Sequence, residues 1–270
     1  NERAASAHRP AAYHMAMKST AITVALALAA PLAAAHDTWF EPLPGGGLAL
    51  GTGNRFPVME LAVDDQYFAR RGCVAADGKP RTLEKLRFTD TNTLLRPQSG
   101  AATCFVQLDA FDVELPPDKV DIYFKEIRPS DAVIAAWEQL RARGLPFKER
   151  YVKSARVDLA GVVGATGIAN PVGMTMDALR LAPAGAITVG SEAVFEVLRE
   201  GQPLAGLNVE LVNERSPIGL WHRTDAQGRI RAKLPLPGRW LLRGTDLRIA
   251  GSGATRFESG FITYAFEVGR

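Results

Sequence analysis

GQPLAGLNVELV (residues 201–212), followed after a short break by TDAQGRIRAKLPLPGRWLL (residues 224–242), decides the fold class. Glu200-Gly201 is a turn signal, and residues 207–212 follow it as an apolar strand. Asp225-Ala226-Gln227-Gly228 is a second turn, because Asp bonds its own backbone two residues on and Gly accepts a positive φ. A strand over 229–234, a Pro237-Gly238 turn and a strand over 239–242 come next. Working outward, strands are expected at 187–189, 193–199 and 261–268, with Pro183-Ala184-Gly185 as a further turn. Short strands at this spacing, with little helical pattern after Gly144, predict an immunoglobulin-like or transthyretin-like antiparallel sandwich over residues 180–270.

Upstream, residues 36–170 read as a second β-rich domain carrying one helix. Gly45-Gly46-Gly47 and Asp77-Gly78 mark turns. Strands are expected at 48–50, 83–89 and 104–108, the last with clean period-two alternation, and 111–115 continues the sheet. The helix spans about 130–143: Ser130 is placed to cap it, Asp131 suits the helix dipole, and Val133, Ile134, Trp137 and Leu140 fall on one stripe. Gly144 and Pro146 end it. A shorter helical turn is expected at 120–127. Residues 151–163 read as a long strand returning to the first domain, and a loose boundary falls between about 165 and 180.

Residues 1–14 carry neither a helical nor a strand period and are set aside as an upstream extension. Met15 and Met17 are plausible starts. Lys18, the apolar run AITVALALAA (residues 21–30), Pro31 and Ala33-Ala34-Ala35 have the order of a cleavable signal peptide. The run is shorter than the roughly 20 residues of a membrane span. Residues 1–35 are therefore expected to be removed, leaving His36 first in a periplasmic or secreted protein with no membrane span. The whole chain is formally +3. Removal of Arg3, Arg9, Lys18 and Glu2 leaves 29 basic and 28 acidic residues, a formal +1. That near-neutrality offers no footprint for nucleic acid or an anionic membrane. Cys73 and Cys104 are the two cysteines, and an even count in an exported chain suggests one disulfide rather than a thiolate metal site.

Several stretches read together carry a resemblance. AHDTWFEP (residues 35–42), the two segments quoted first, and FESGFITYAFEV (residues 257–268) occur in the order seen in the NikM-like nickel-uptake family, exported bacterial proteins that also go by a domain-of-unknown-function label. RYVKSARV (150–157) and PVGMTMDALRLAP (171–183) are consistent with it. The resemblance implies a periplasmic protein associated with nickel or cobalt uptake, and its His-Asp pair is the part that carries over to this chain.

Cleavage before His36 would free an α-amine that, with Nδ1 of the same imidazole, can chelate one metal ion. Such nitrogen ligation suits Ni(II) or Cu(II). The candidate ligands are His36, Asp37 and His222, the last expected in a loop over 216–225. Glu41, Glu214 and Asp225 are further candidates, although Asp225 is also what its turn requires. Met59, Met174 and Met176 read as packing residues, and Asp64-Asp65 as a solvated turn. No GxSxG, HExxH, P-loop or GxGxxG motif occurs, so no catalytic residue is assigned. The expected function is a metal-binding or metal-delivery accessory, possible metals being nickel or cobalt, with copper as the alternative ion and a membrane transport component as a possible partner. Two other readings stand beside it: an immunoglobulin-like interaction module for a protein or glycan, and a copper redox enzyme built on an N-terminal histidine.

Overall fold

The computed structural model describes residues 36–159 and 169–270. The expected signal peptide lies outside the described residues, as does part of the expected boundary near 165–180. In the first half come β1 (Asp37–Pro42), β2 (Leu48–Gly53), β3 (Leu61–Ala62), β4 (Phe68–Ala75), β5 (Pro80–Arg81), β6 (Leu83–Phe88), β7 (Thr93–Pro97), β8 (Ala101–Leu108) and β9 (Phe111–Leu115). Two helices follow, α1 (Pro117–Ile127) and α2 (Asp131–Ala142), and then β10 (Phe147–Asp158). The second half holds β11 (Met176–Ala182), β12 (Ile187–Thr188), β13 (Glu192–Arg199), β14 (Gln202–Pro203), β15 (Asn208–Asn213) and β16 (Leu220–Arg223). It closes with β17 (Arg229–Lys233), β18 (Gly238–Ile249) and β19 (Phe257–Gly269). The protein is mainly β, in the sandwich-like arrangement expected.

Among the described residues these strands form three layers around one dominant sheet. That sheet runs β16-β15-β18-β19-β10-β8-β4-β5, with β9 and β12 added at its sides. Its centre is the parallel pair β10 and β19, in register from Glu149 opposite Phe257 to Val157 opposite Ala265. The two halves of the chain therefore share one continuous sheet. β19 is buried along most of its length on both faces, which explains its near-continuous apolar sequence.

One face of this sheet presents Trp240, Leu242, Ile262, Tyr264 and Phe266 to β11, β13 and β17, and their side chains form one core. The four-stranded partner sheet pairs β11-β13-β14, with β17 also on β13. Together they make the C-terminal sandwich. Gly260 lies where β11 crosses: a Cβ there would sit 2.4 Å from Met176 Cγ. The opposite face carries two cores. Ala155, Val157, Leu241 and Ala265 pack under Trp39, Phe40, Leu48, Leu50 and Leu95 of the sheet β1-β2-β7-β6. Phe147, Tyr151, Phe257 and Phe261 pack under α1 and α2.

Local chemistry accounts for the helices. α2 starts where Ser130 Oγ accepts from Val133 N at 3.4 Å. It buries Val133, Ala136, Trp137 and Leu140, and ends before Gly144 at φ 70°. Trp137 is a core anchor, stacked edge-on against Phe147. Ile134 is 39% exposed, off the expected stripe, because the buried face follows 133-136-137-140. α1 is longer than the turn expected at 120–127: Pro116 and Pro117 open it, where the missing N–H costs nothing. It ends at Arg128, in left-handed conformation with φ 49°. Cys73 and Cys104 sit directly opposite each other on β4 and β8 and form the expected disulfide.

Candidate functional site

His36 precedes β1, which lies across the large sheet over β10 and β19. Two side chains of that sheet grip the main chain of the docked segment: Lys153 Nζ donates to His36 O at 2.6 Å, and Thr263 Oγ1 donates to Thr38 O at 2.5 Å. Two arginines of β18 grip its carboxylates. Arg243 Nη1 donates to Asp37 Oδ2 at 2.8 Å while Arg243 Nε reaches Glu210 Oε2 at 2.7 Å. Four residues earlier, Arg239 bonds Glu41, and its Nε reaches Glu214 Oε2 at 2.7 Å. Residues four apart on a strand share a face. The spacing of Asp37 and Glu41 therefore matches that of Arg239 and Arg243, and each arginine lies between two carboxylates. Burial opposes the Arg243 charge, yet Asp37 and Glu210 together hold its pKa above the ordinary value.

This arrangement redefines the candidate ligands. His36 is 3% exposed; its Nε2 lies 3.3 Å from Glu60 Oε2, and its Nδ1 is buried with no hydrogen-bond partner. Asp37 is adjacent, but its carboxylate is engaged by Arg243. His222 is not in a loop: it belongs to β16, opposite Val209. Glu210 pairs with both Trp221 and Arg243, so those three share one face. His222 and Val209 share the other, and the sheet stands between His222 and the Asp37–Arg243 pair. Glu41 and Glu214 are held by Arg239. Asp225 Oδ1 accepts from the main chain of Gln227 and Arg229, as its turn requires. Met174 and Met176 are core residues, Met59 packs against the core beneath β1, and Asp64 caps a short 3-10 turn. No group of three or more His, Cys, Asp or Glu residues converges to hold a metal among the described residues.

Beside β1 lies a buried polar cluster that the sequence reading did not include. Glu149 is 2% exposed and Lys153 5%. Tyr123 Oη donates to Glu149 Oε1 at 2.9 Å, and Ser259 also bonds that oxygen. Glu149 Oε2 is buried without a partner. Burial drives the Glu149 pKa up to about 7, against the Ser259 and Tyr123 hydrogen bonds and the Lys153 charge. Burial likewise drives Lys153 down to about 8, against Asp37 and Glu149. The available signal was charge at Glu149 and Lys153 on the inward-facing parity of a strand. Thr38, Thr52, Tyr151 and Lys153 are among the residues that line a pocket of about 490 Å³.

A pH dependence of stability follows. A carboxyl whose pKa is raised on folding binds more protons folded than unfolded, so stability falls as pH rises from about 4.5 to about 7. An amine whose pKa is lowered binds fewer, so stability rises from about pH 8 to about 10.5. Stability from this pair is expected to be lowest between pH 7 and 8. Urea midpoints across pH 5–10 check it. Glu149→Gln should flatten the acid limb, and an unchanged acid limb in that variant would refute the assignment.

Fold and site together define a class: a β-sandwich protein whose first described strand is clamped by arginines onto the sheet that joins its two halves. The model of a family described as a domain of unknown function, DUF4198, matches residues 33–245, and the chain belongs to that family. The matched span contains His36, Asp37, Glu41, Lys153, Arg239 and Arg243. No curated protein and no solved structure matches the chain. Among the described residues, no helix is long and apolar enough to cross a membrane.

Proposed function

We propose that this protein is an exported metal-binding or metal-delivery accessory, connected by its NikM-like resemblance with nickel or cobalt uptake, and that its ligand centre is His36 at the processed N-terminus. The observation that carries this reading is the buried, unpartnered Nδ1 of His36 beside the Nε2–Glu60 contact. A buried nitrogen without a partner costs free energy that a bound ion would offset. A carboxylate next to Nε2 favours the proton there, which leaves the Nδ1 lone pair for the ion; metal-bound histidines recurrently have this outer partner. Removal of residues 1–35 would place an α-amine on the same residue, giving a two-nitrogen chelate with Nδ1. Asp37 contributes by fixing the strand through Arg243, not by ligation, and His222 takes no part. The ion is cargo, received from solution and passed to a membrane transport component.

Calorimetry on the chain beginning at His36 tests this. Saturable binding of Ni(II), Co(II) or Cu(II) is expected. It should weaken as pH falls below about 8, the ordinary α-amine value. Glu60→Gln should weaken it about 10- to 100-fold. Absence of binding for all three ions, or equal binding after one alanine is placed before His36, would overturn the reading.

A further inference from the structure

A groove of about 500 Å³ runs between the start of α2 and the ends of β13, β16 and β18. Arg128, Arg199, Arg223 and Arg248 line it, over an apolar floor that includes Leu207 and Leu247. Two of these arginines have carboxylates: Asp246 Oδ2 accepts from Arg199 Nη1 at 2.8 Å and from Arg248 Nη1 at 3.2 Å, and Glu258 Oε2 accepts from Arg248 Nη2 at 3.4 Å. The other two are held in place without being neutralised. The Arg128 guanidinium lies 4.0 Å from the Trp221 ring centroid. Its main chain is fixed by the left-handed cap and by Asn208 Nδ2, which donates to Arg128 O at 2.7 Å. Arg223 donates Nε to Gly206 O at 3.2 Å and lies alongside that glycine. Neither has a carboxylate within ion-pair distance among the described residues.

An arginine positioned by an indole face or a backbone carbonyl keeps its full charge and its outward N–H pairs, at little further entropic cost when a ligand arrives. Two such forks match a doubly charged anion with three terminal oxygens. The leucines below match an organic substituent. We infer that the groove formed by Arg128, Arg223, Leu207 and Leu247 is a binding site for a phosphate monoester bearing an apolar group. That chemistry has two sources, a soluble organic phosphate and the headgroup of a lipid such as phosphatidic acid.

The probe is phenyl phosphate, titrated calorimetrically into the disulfide-intact protein. Saturable 1:1 binding is expected, tighter than for inorganic phosphate. It should weaken at least tenfold in Arg128→Met and in Arg223→Met, and stay unchanged in Arg87→Met, which lies on β6 away from the groove. Thermal unfolding of each variant establishes that it is folded. Co-sedimentation with phosphatidylcholine vesicles containing phosphatidic acid, competed by phenyl phosphate, assigns the source to the lipid. Binding of phenyl phosphate without vesicle binding assigns it to a soluble ester. No saturable binding of either probe, or equal binding in a folded Arg128→Met/Arg223→Met chain, would overturn the inference. Because His36 is untouched in these variants, this outcome is independent of metal binding.

Discussion

Asp177→Ala is expected to cost about 3–5 kcal/mol of folding stability, the range for breaking one side of a buried ion pair. Arg156 is 0% exposed and Asp177 2%. Arg156 Nη1 donates to Asp177 Oδ1 at 2.9 Å. The same carboxylate accepts from Val172 N at 3.0 Å and Ala178 N at 2.9 Å, so it fixes both the entry into β11 and the first residues of that strand. Alanine removes the carboxylate facing Arg156 and deprives the Val172 and Ala178 amides of this acceptor. Urea unfolding of both chains at one pH checks the value. Replacing both residues with apolar ones, as in Arg156→Met/Asp177→Leu, should recover much of the loss, since such replacements are often neutral or stabilising. A loss below about 1 kcal/mol in Asp177→Ala would show that the pair does not hold β11 to β10.

Removal of the disulfide has the next largest expected effect. Cys73 and Cys104 are separated by 31 residues in sequence, and the chain-entropy relation gives about 3–4 kcal/mol for a loop of that length. Both sulfurs lie in the core beneath β1 and β2, so Cys73→Ala/Cys104→Ala also loses packing. At roughly 2–4 °C per kcal/mol for a chain of this size, the Tm should fall by about 10 °C. Calorimetric scans of the double variant, and of the parent with and without reductant, measure it. A fall of less than about 2 °C would mean that the β4–β8 pairing needs no cross-link.

What was legible in the sequence was what local chemistry dictates. Ser130, Val133, Trp137 and Gly144 specify α2, because cap, stripe and stop all lie within fifteen residues. Asp225 and Gly228 specify their turn for the same reason, and the apolar run in 261–268 announces a strand. β16 is hidden, because Leu220-Trp221-His222-Arg223 is too short to show a period, and by local pattern His222 is indistinguishable from a loop residue. β11 was hidden because Asp177 and Arg180 interrupt its apolar sequence, and only their ion-pair partners Arg156 and Asp158 explain them. The clamp on β1 was present as two matched i, i+4 charge pairs. Nothing local says that Asp37 belongs to Arg243, 206 residues away, and beside His36 its carboxylate has the local look of a metal ligand. The neighbouring Glu149 and Lys153 carry their meaning only once burial is known.

The parallel pairing of β10 with β19 has a consequence for the order of events in synthesis. The dominant sheet has its middle strand at residues 257–269, so until those residues emerge this sheet exists only as two flanks: β10-β8-β4-β5 on one side, β16-β15-β18 on the other. Neither piece can bury the faces that β19 covers. Long-range pairing of this kind is slow and leaves apolar strands exposed until it is complete. Until β19 arrives the two flanks have nothing to join them, and its pairing with β10 on one side and β18 on the other closes the sheet in one step.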